Sequence, residues 1–303
     1  MSDQAIIRTD GLAKDFGNGK GLLGIDLDVM EGEILGFLGP NGSGKSTAMR
    51  TLLNLIEPTG GKATIFGLDI VADSLAIRGR VGFVSGDFKL YGDLTGDALL
   101  DYFAALRGGV DRKLRQDLCE RFSAQLDRPL RDLSTGNRQK IALVQAFMHE
   151  PELLILDEPI TGLDPLVQKS FHSLLAEVRD EGRTVFLSSH TLSEVERVAK
   201  RVAVLREGKL VVVDTLENLL SVAVQTLEVE FSGSPNLDQL RKIQGVRKVE
   251  EDHRGVNISF EGPADPLVKA LAQHEVIKLR SRNEDLEEVF LRYYRDDGEG
   301  AES

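Results

Sequence analysis

Hydrophobic and polar positions along the chain switch repeatedly between two periods. Ile25, Leu27 and Val29 alternate with acidic residues, as in a half-exposed strand, and Glu31-Gly32 then turns the chain into the unbroken apolar run from Ile34 to Leu38. This predicts an antiparallel hairpin feeding a buried strand. From Lys45, the apolar positions Met49, Leu52, Leu53 and Ile56 keep the i, i+3, i+4, i+7 spacing of an amphipathic helix, which Pro58 and Gly60-Gly61 end. Arg80 to Val84 reads as a strand, and a helix-rich stretch covers Asp97 to about Met148. Leu153 to Leu156 is all apolar and suits a parallel strand covered on both faces. Asp164-Pro165 supplies an N-cap and first turn for a helix that Gly182 closes, and Val185 to Leu187 is the next buried strand. Thr191-Leu-Ser-Glu194 reads as a capping box, and Arg201 to Asp214 as two strands around Glu207-Gly208. Strands alternating with helices in this way predict an α/β fold with a mostly parallel sheet.

Beyond residue 215 the pattern changes. Strand (Gln225 to Phe231), helix (Asn236 to Ile243), strand (Val246 to Glu250), strand (Gly255 to Phe260), helix (Pro263 to Gln273) and strand (Glu275 to Leu279) follow one another, with a last helix from Asn283. The βαββαβ order is that of a ferredoxin-like α+β domain. The expected organisation is therefore residues 1–215, residues 216–296, and a polar acidic tail at 297–303 expected to be disordered.

Charge supports that division. Of 49 acidic and 37 basic side chains, net −12, residues 216–303 hold 18 and 11, so −7 lies in the last 88 residues. The acidic balance argues against a nucleic-acid backbone as partner. The longest stretch without a charge runs from Ile34 to Gly44, eleven glycine-rich residues, whereas crossing a bilayer takes roughly 20 apolar ones. The opening MSDQAIIRTDG has no apolar core of a secretory signal, and the one cysteine, Cys119, cannot form an intrachain disulfide, so a reducing cytoplasm is expected. The five histidines show no metal-ligand spacing.

The chemistry is concentrated in a few segments. Gly39, Pro40, Asn41, Gly42, Ser43, Gly44, Lys45, Ser46 and Thr47 fit G-x-x-x-x-G-K-[ST], after a buried strand and at a helix start. A glycine-rich turn exposes convergent backbone N–H groups to phosphate, and the helix N-terminus adds partial positive charge. Lys45 is expected on the β and γ phosphates and the Ser46 hydroxyl on Mg²⁺. Asp157-Glu158-Pro159 follows the buried strand at its C-terminal end, where ligands of open α/β sheets bind. Asp157 suits holding Mg²⁺ through water, and Glu158 suits orienting the attacking water and accepting its proton.

Leu133-Ser-Thr-Gly-Asn137-Arg-Gln139, with Ser134 lying 23 residues before Asp157, resembles the LSGGQ signature of ATP-binding cassette (ABC) transporter ATPases. The resemblance covers residues 1 to about 215. It implies a P-loop ATPase domain with a RecA-like core, an antiparallel β subdomain and a helical subdomain at about 87–150. It further implies that Ser134 and Gly136 open a helix toward the γ-phosphate held by a second copy, with Gly162-Leu-Asp164 as the D-loop at the dimer contact. His190, in Ser189-His190, resembles the switch histidine that reads the γ-phosphate, and Phe16 falls where the family stacks an aromatic on adenine. Two departures stand out: Ser85-Gly86-Asp87 replaces the usual Q-loop glutamine, leaving Asp87 as its candidate substitute at Mg²⁺, and Thr135 and Asn137 replace a signature glycine and glutamine.

The implied machine is a homodimer sandwiching two ATP molecules, with both sites hydrolysing, peripheral on the inner face of the membrane through a separate multispanning permease. The segment from Ser85 to Leu100, with Phe88, Tyr91 and Leu94, is the expected docking surface for that permease. A single cassette with a short extension ending in Leu286-Glu-Glu-Val-Phe-Leu-Arg292 resembles the ATPases of ABC-2 type exporters, including those of drug or antibiotic efflux. The alternatives are an importer ATPase, or a soluble ABC ATPase acting on ribosomes or DNA; the usual second cassette or long insertion of the soluble members does not occur here.

Overall fold

The computed structural model describes residues 4–17, 19–86, 92–222, 225–233, 235–252 and 255–283. The chain divides into two compact units, Met1–Asp214 and Thr215–Ser303. The first unit opens with strands β1 (Ala5–Asp15), β2 (Gly21–Ile25), β3 (Asp28–Met30) and β4 (Ile34–Leu38), then helix α1 (Lys45–Leu52). Strands β5 (Gly60–Ile65) and β6 (Leu68–Asp69), helix α2 (Ser74–Arg80) and strand β7 (Val81–Val84) follow. Helices α3 (Gly96–Leu106), α4 (Arg112–Phe122) and α5 (Thr135–Phe147) form the helix-rich insertion. The unit closes with β8 (Leu153–Asp157), α6 (Pro165–Asp180), β9 (Thr184–Ser189), the short α7 (Leu192–Val195), β10 (Arg201–Arg206) and β11 (Lys209–Thr215).

These strands build two sheets. One has the order β2-β1-β5-β6, with β3 also paired to β1, and its register pairs are antiparallel; the other has the order β11-β10-β4-β9-β8-β7. From β10 to β7 every neighbour in the second sheet is parallel. All five residues of β4 and of β8 are buried, as expected of strands covered on both faces. A shared core joins the sheets: Ile7 and Ile65 from the antiparallel sheet pack in one cluster with Phe37, Met49, Leu52, Ile155 and Phe186. The Phe37 and Phe186 rings lie 5.1 Å apart at 40°, a tilted contact within the favourable aromatic range.

Three local expectations change. The alternating segment before Glu31 is two strands, and β3 does not form a hairpin with β4, because Glu31-Gly32 carries the chain from the antiparallel sheet into the parallel one. Helix α1 ends at Leu52, and Asn54 at φ 50° takes the chain out of it before Ile56. The capping box at Thr191 is not made: that side chain caps nothing, and Glu194 instead bonds the Ser189 hydroxyl.

The second unit comprises α8 (Leu216–Val222), β12 (Gln225–Phe231), α9 (Leu237–Leu240), β13 (Val246–Asp252), β14 (Gly255–Phe260), α10 (Asp265–Leu271) and β15 (Val276–Asn283). Its antiparallel sheet has the order β13-β14-β12-β15. The first and third strands of the βαββαβ run are thus central, which is the ferredoxin-like arrangement. Leu227, Val229, Ile258, Phe260, Leu267 and Leu271 form its core. The expected last helix, the Leu286 to Arg292 motif and the tail lie outside the described residues, as do Asp87, Phe88 and Tyr91.

Candidate active site

Three neighbouring parallel strands deliver the chemistry to one sheet edge. In the register, Leu38 of β4 pairs with Ser189 of β9, and Ser188 of β9 pairs with Asp157 of β8. The glycine loop after β4, His190 after β9 and Glu158 after β8 therefore leave the sheet side by side, at the carboxyl ends where open α/β sheets bind ligands.

The loop requires glycine at two tight positions. A Cβ on Gly39 would stand 2.3 Å from the Leu205 carbonyl oxygen, and Gly44 adopts φ 110° with a Cβ position 2.9 Å from the Gly21 oxygen. The Ser43 carbonyl accepts the Gly208 N–H at 2.8 Å, tying the loop to the β10–β11 turn. No side chain caps α1 at Gly44, so its first-turn amides remain available to an anion. Lys45 is 5% exposed. Its Nζ donates to the Gly39 and Pro40 carbonyls at 2.6 and 3.2 Å and lies 3.4 Å from Glu158 Oε1. The Thr47 carbonyl accepts the Thr51 hydroxyl at 2.8 Å, a bond internal to the helix.

The two carboxylates are held differently. Asp157 is 1% exposed; its Oδ1 accepts the Ser188 hydroxyl at 2.8 Å, while Oδ2 is buried with no hydrogen-bond partner. Glu158 turns out of the strand at φ 48°, a left-handed conformation that costs a non-glycine residue about 1–3 kcal/mol and concentrates at functional sites. Glu158 Oε2 lies 2.8 Å from His190 Nδ1, and Oε1 forms an ion pair with the Lys45 ammonium at 3.4 Å without a hydrogen bond. Asn41, Ser46, Arg50, Gly86, Asp157, Glu158, Thr161 and His190 line one open cavity of about 290 Å³. Among the described residues no group of three His, Cys, Asp or Glu side chains could hold a metal by itself. A free carboxylate oxygen and a hydroxyl in one cavity suit Mg²⁺ carried in by phosphates, an ion that keeps most of its waters and takes few protein ligands.

The signature segment forms a second centre. Ser134 caps α5 by accepting the Asn137 N–H at 3.2 Å. Asn137, 7% exposed, pairs with the Gln125 backbone in both directions, at 2.9 and 2.8 Å, so its amide is turned inward. A Cβ on Gly136 would lie 2.5 Å from the Gly162 oxygen, which packs the start of α5 against the loop before α6. Asp164 caps α6 through the Leu166 and Val167 amides at 3.1 and 3.0 Å, and the Val167 bond foremost holds its carboxyl below the usual range. The cavity lining includes neither Ser134 nor Gly136. Phe16 stands outside the core at 59% exposure, with Lys14 Nζ 5.5 Å from its ring centroid. Sequence reasoning missed Arg50, Thr161 and Ser188; the pair Ser188-Ser189 before His190, polar at the end of an apolar strand, is the signal that was there.

Comparison with known proteins agrees with this geometry. The ABC transporter family model matches residues 22–161. The bacitracin transport ATP-binding protein BcrA of Enterococcus faecalis is 39% identical over 214 residues, 70% of each chain. BcrA of Bacillus licheniformis is 31% identical over 295 residues, 95% of this chain and 96% of that one. A solved ATP-binding subunit of an ABC transporter superposes with a TM-score of 0.65 at 27% identity, covering 71% of this chain and 91% of that one. A glycine loop, a carboxylate pair and a histidine converging on one sheet edge thus belong to a member of the ABC transporter family, an ATP-binding and ATP-hydrolysing subunit.

Proposed function

We propose that two copies of the chain close around two ATP molecules and that hydrolysis drives export of an antibiotic or related compound through a separate ABC-2 type membrane permease. One observation carries the catalytic part: the Glu158 carboxylate stands between Lys45 and His190 and lines the same cavity as Ser46 and Asp157, whose Oδ2 is unpartnered. Lys45 and the α1 amides bind the β and γ phosphates, with Asn41 beside them in the cavity. Ser46 and, through water, Asp157 would hold Mg²⁺, which when bound would neutralise phosphate charge. Glu158 orients a water molecule and takes its proton, while His190 steadies the carboxylate and faces the γ-phosphate. Ser134 and Gly136 of the second copy close the site, and Phe16, exposed on the β1–β2 turn, stacks on adenine.

The export reading is supported by the relative from Bacillus licheniformis, which is aligned through the second unit and is described as a bacitracin transport protein. Among the described residues no helix is long and apolar enough to cross a membrane, and the proposal gives the translocation path to a separate permease. For its docking place the expectation of a surface over Ser85 to Leu100 is narrowed, because Leu99 and Leu100 are fully buried. An apolar groove of about 220 Å³ beside it, lined by Leu53, Leu55, Phe83 and Phe103 among others, better suits a permease helix. Its rim is braced by Arg107, which donates to the Arg78, Gly79 and Val81 carbonyls.

The test is Glu158→Gln. Turnover is expected to fall roughly 10²- to 10⁴-fold, the usual worth of a general base, while an ATP-bound dimer accumulates in size-exclusion chromatography. Near-normal turnover would remove Glu158 from the mechanism.

A further inference from the structure

Ser188 is fully buried at the end of β9, opposite Asp157 in the register. Its one hydroxyl serves two neighbours, donating to Asp157 Oδ1 at 2.8 Å and accepting the Glu158 N–H at 3.0 Å. A hydroxyl has a single proton, so these two bonds assign that proton to the Asp157 side and a lone pair to Glu158. Each bond has a consequence for the site. With Oδ1 occupied, Asp157 leaves Oδ2 as its free oxygen, buried and 3.3 Å from the Cβ position of Gly86, which lines the same cavity. With its amide held, Glu158 keeps the left-handed turn that sets its carboxylate between Lys45 and His190.

We propose that Ser188 is the positioning residue for both carboxylates, presenting the Asp157 oxygen that would hold Mg²⁺ through water and fixing the backbone from which Glu158 reaches its own water. The proposal rests on the assignment of Asp157 and Glu158 made above. An apolar residue at 188 would leave a buried carboxylate oxygen and a buried N–H unpaired, freeing Asp157 to rotate and Glu158 to relax toward an extended backbone.

The experiment compares Ser188→Ala, Ser188→Thr and Glu158→Gln in the full chain, with ATP affinity measured by calorimetry in Mg²⁺ and again in EDTA. Ser188→Ala is expected to match the parent in EDTA, where Lys45 and the loop amides carry binding. In Mg²⁺ it is expected to lose roughly 10- to 100-fold in affinity, as when the outer partner of a metal ligand is removed. Its kcat should fall alongside, and Ser188→Thr, which keeps the hydroxyl, should recover both. Equal losses in the two media would make Ser188 a packing residue and overturn the proposal, as would unchanged affinity and kcat in Mg²⁺. If the alanine variant does not fold, Ser188→Cys, of similar shape with a much weaker donor, carries the same comparison. Glu158→Gln separates the two assignments: normal turnover by that variant defeats the role given to Glu158. Slow turnover by it beside an unaffected Ser188→Ala defeats only the positioning role.

Discussion

Two helix N-termini in the first unit, to which the proposed mechanism gives phosphate contacts, are finished in opposite ways. At α1, Gly44 offers no side-chain cap, and the surroundings contain buried polar atoms without hydrogen-bond partners: Ser43 Oγ, Asp157 Oδ2 and Glu158 Oε1. At α5, Ser134 caps the helix from within and Asn137 is satisfied at both ends by the Gln125 backbone. Buried polar groups are normally paired, so the first terminus has its ligand contacts prepared in one chain. The second is complete as a piece of folded protein and presents itself as a finished surface. In the proposed dimer, binding and closing are then separate tasks, and the contrast predicts which substitutions act on which.

The largest effect is expected at α1. Lys45→Ala should lower ATP affinity about 10- to 100-fold, corresponding to a charged hydrogen bond of about 1.5–3 kcal/mol; calorimetry showing parent affinity would erase the contrast. Gly136→Ala comes next. Its methyl would meet the Gly162 oxygen at 2.5 Å, so about 1–3 kcal/mol of stability should be lost to overpacking, with ATP affinity of the isolated chain retained. Ser134→Ala should remove the α5 cap and about 1 kcal/mol of stability in urea titration, again without weakening ATP binding; weakened binding would place the two termini in one site.

The smallest effect concerns acid. His149 follows α5, and burial foremost, helped by Arg107, lowers its pKa from 6.5 to about 4. The folded form therefore holds it neutral while the unfolded chain takes up a proton. Its contribution to stability is intact above pH 6.5 and is lost as pH falls from 6.5 toward 4. His149→Gln should flatten that part of the stability profile, and an unchanged profile would remove this histidine from the acid response.

Much of the site was legible before the fold. The glycine loop, Asp157-Glu158 and Ser134 as a helix cap are each recognisable from a few consecutive residues, because loop conformation, strand burial and helix capping depend on neighbours in the chain; His190 is picked out only by the resemblance to the ABC family. The Asp164-Pro165 start of α6 was legible for the same reason, and its cap bonds are present. The hairpin expected at Glu31-Gly32 was not, since a turn shows that the chain reverses but not which sheet receives the next strand. Asn137 shows the same limit. Its replacement of the signature glutamine is visible in the sequence, but its inward pairing with Gln125, 12 residues away, depends on how α5 packs.

The amino-acid order by itself therefore determined the alternation of strands and helices, the phosphate loop, the carboxylate pair and the acidic second unit, all properties of local spacing and composition. The tertiary structure decided the rest. Only the parallel pairing of β4, β9 and β8 brings Lys45, His190 and Glu158 together, and only it sets the Ser188 hydroxyl against Asp157, 31 residues away. Such contacts are chosen by long-range packing, where many side chains of similar character compete for each position and the global burial of the sheet selects among them.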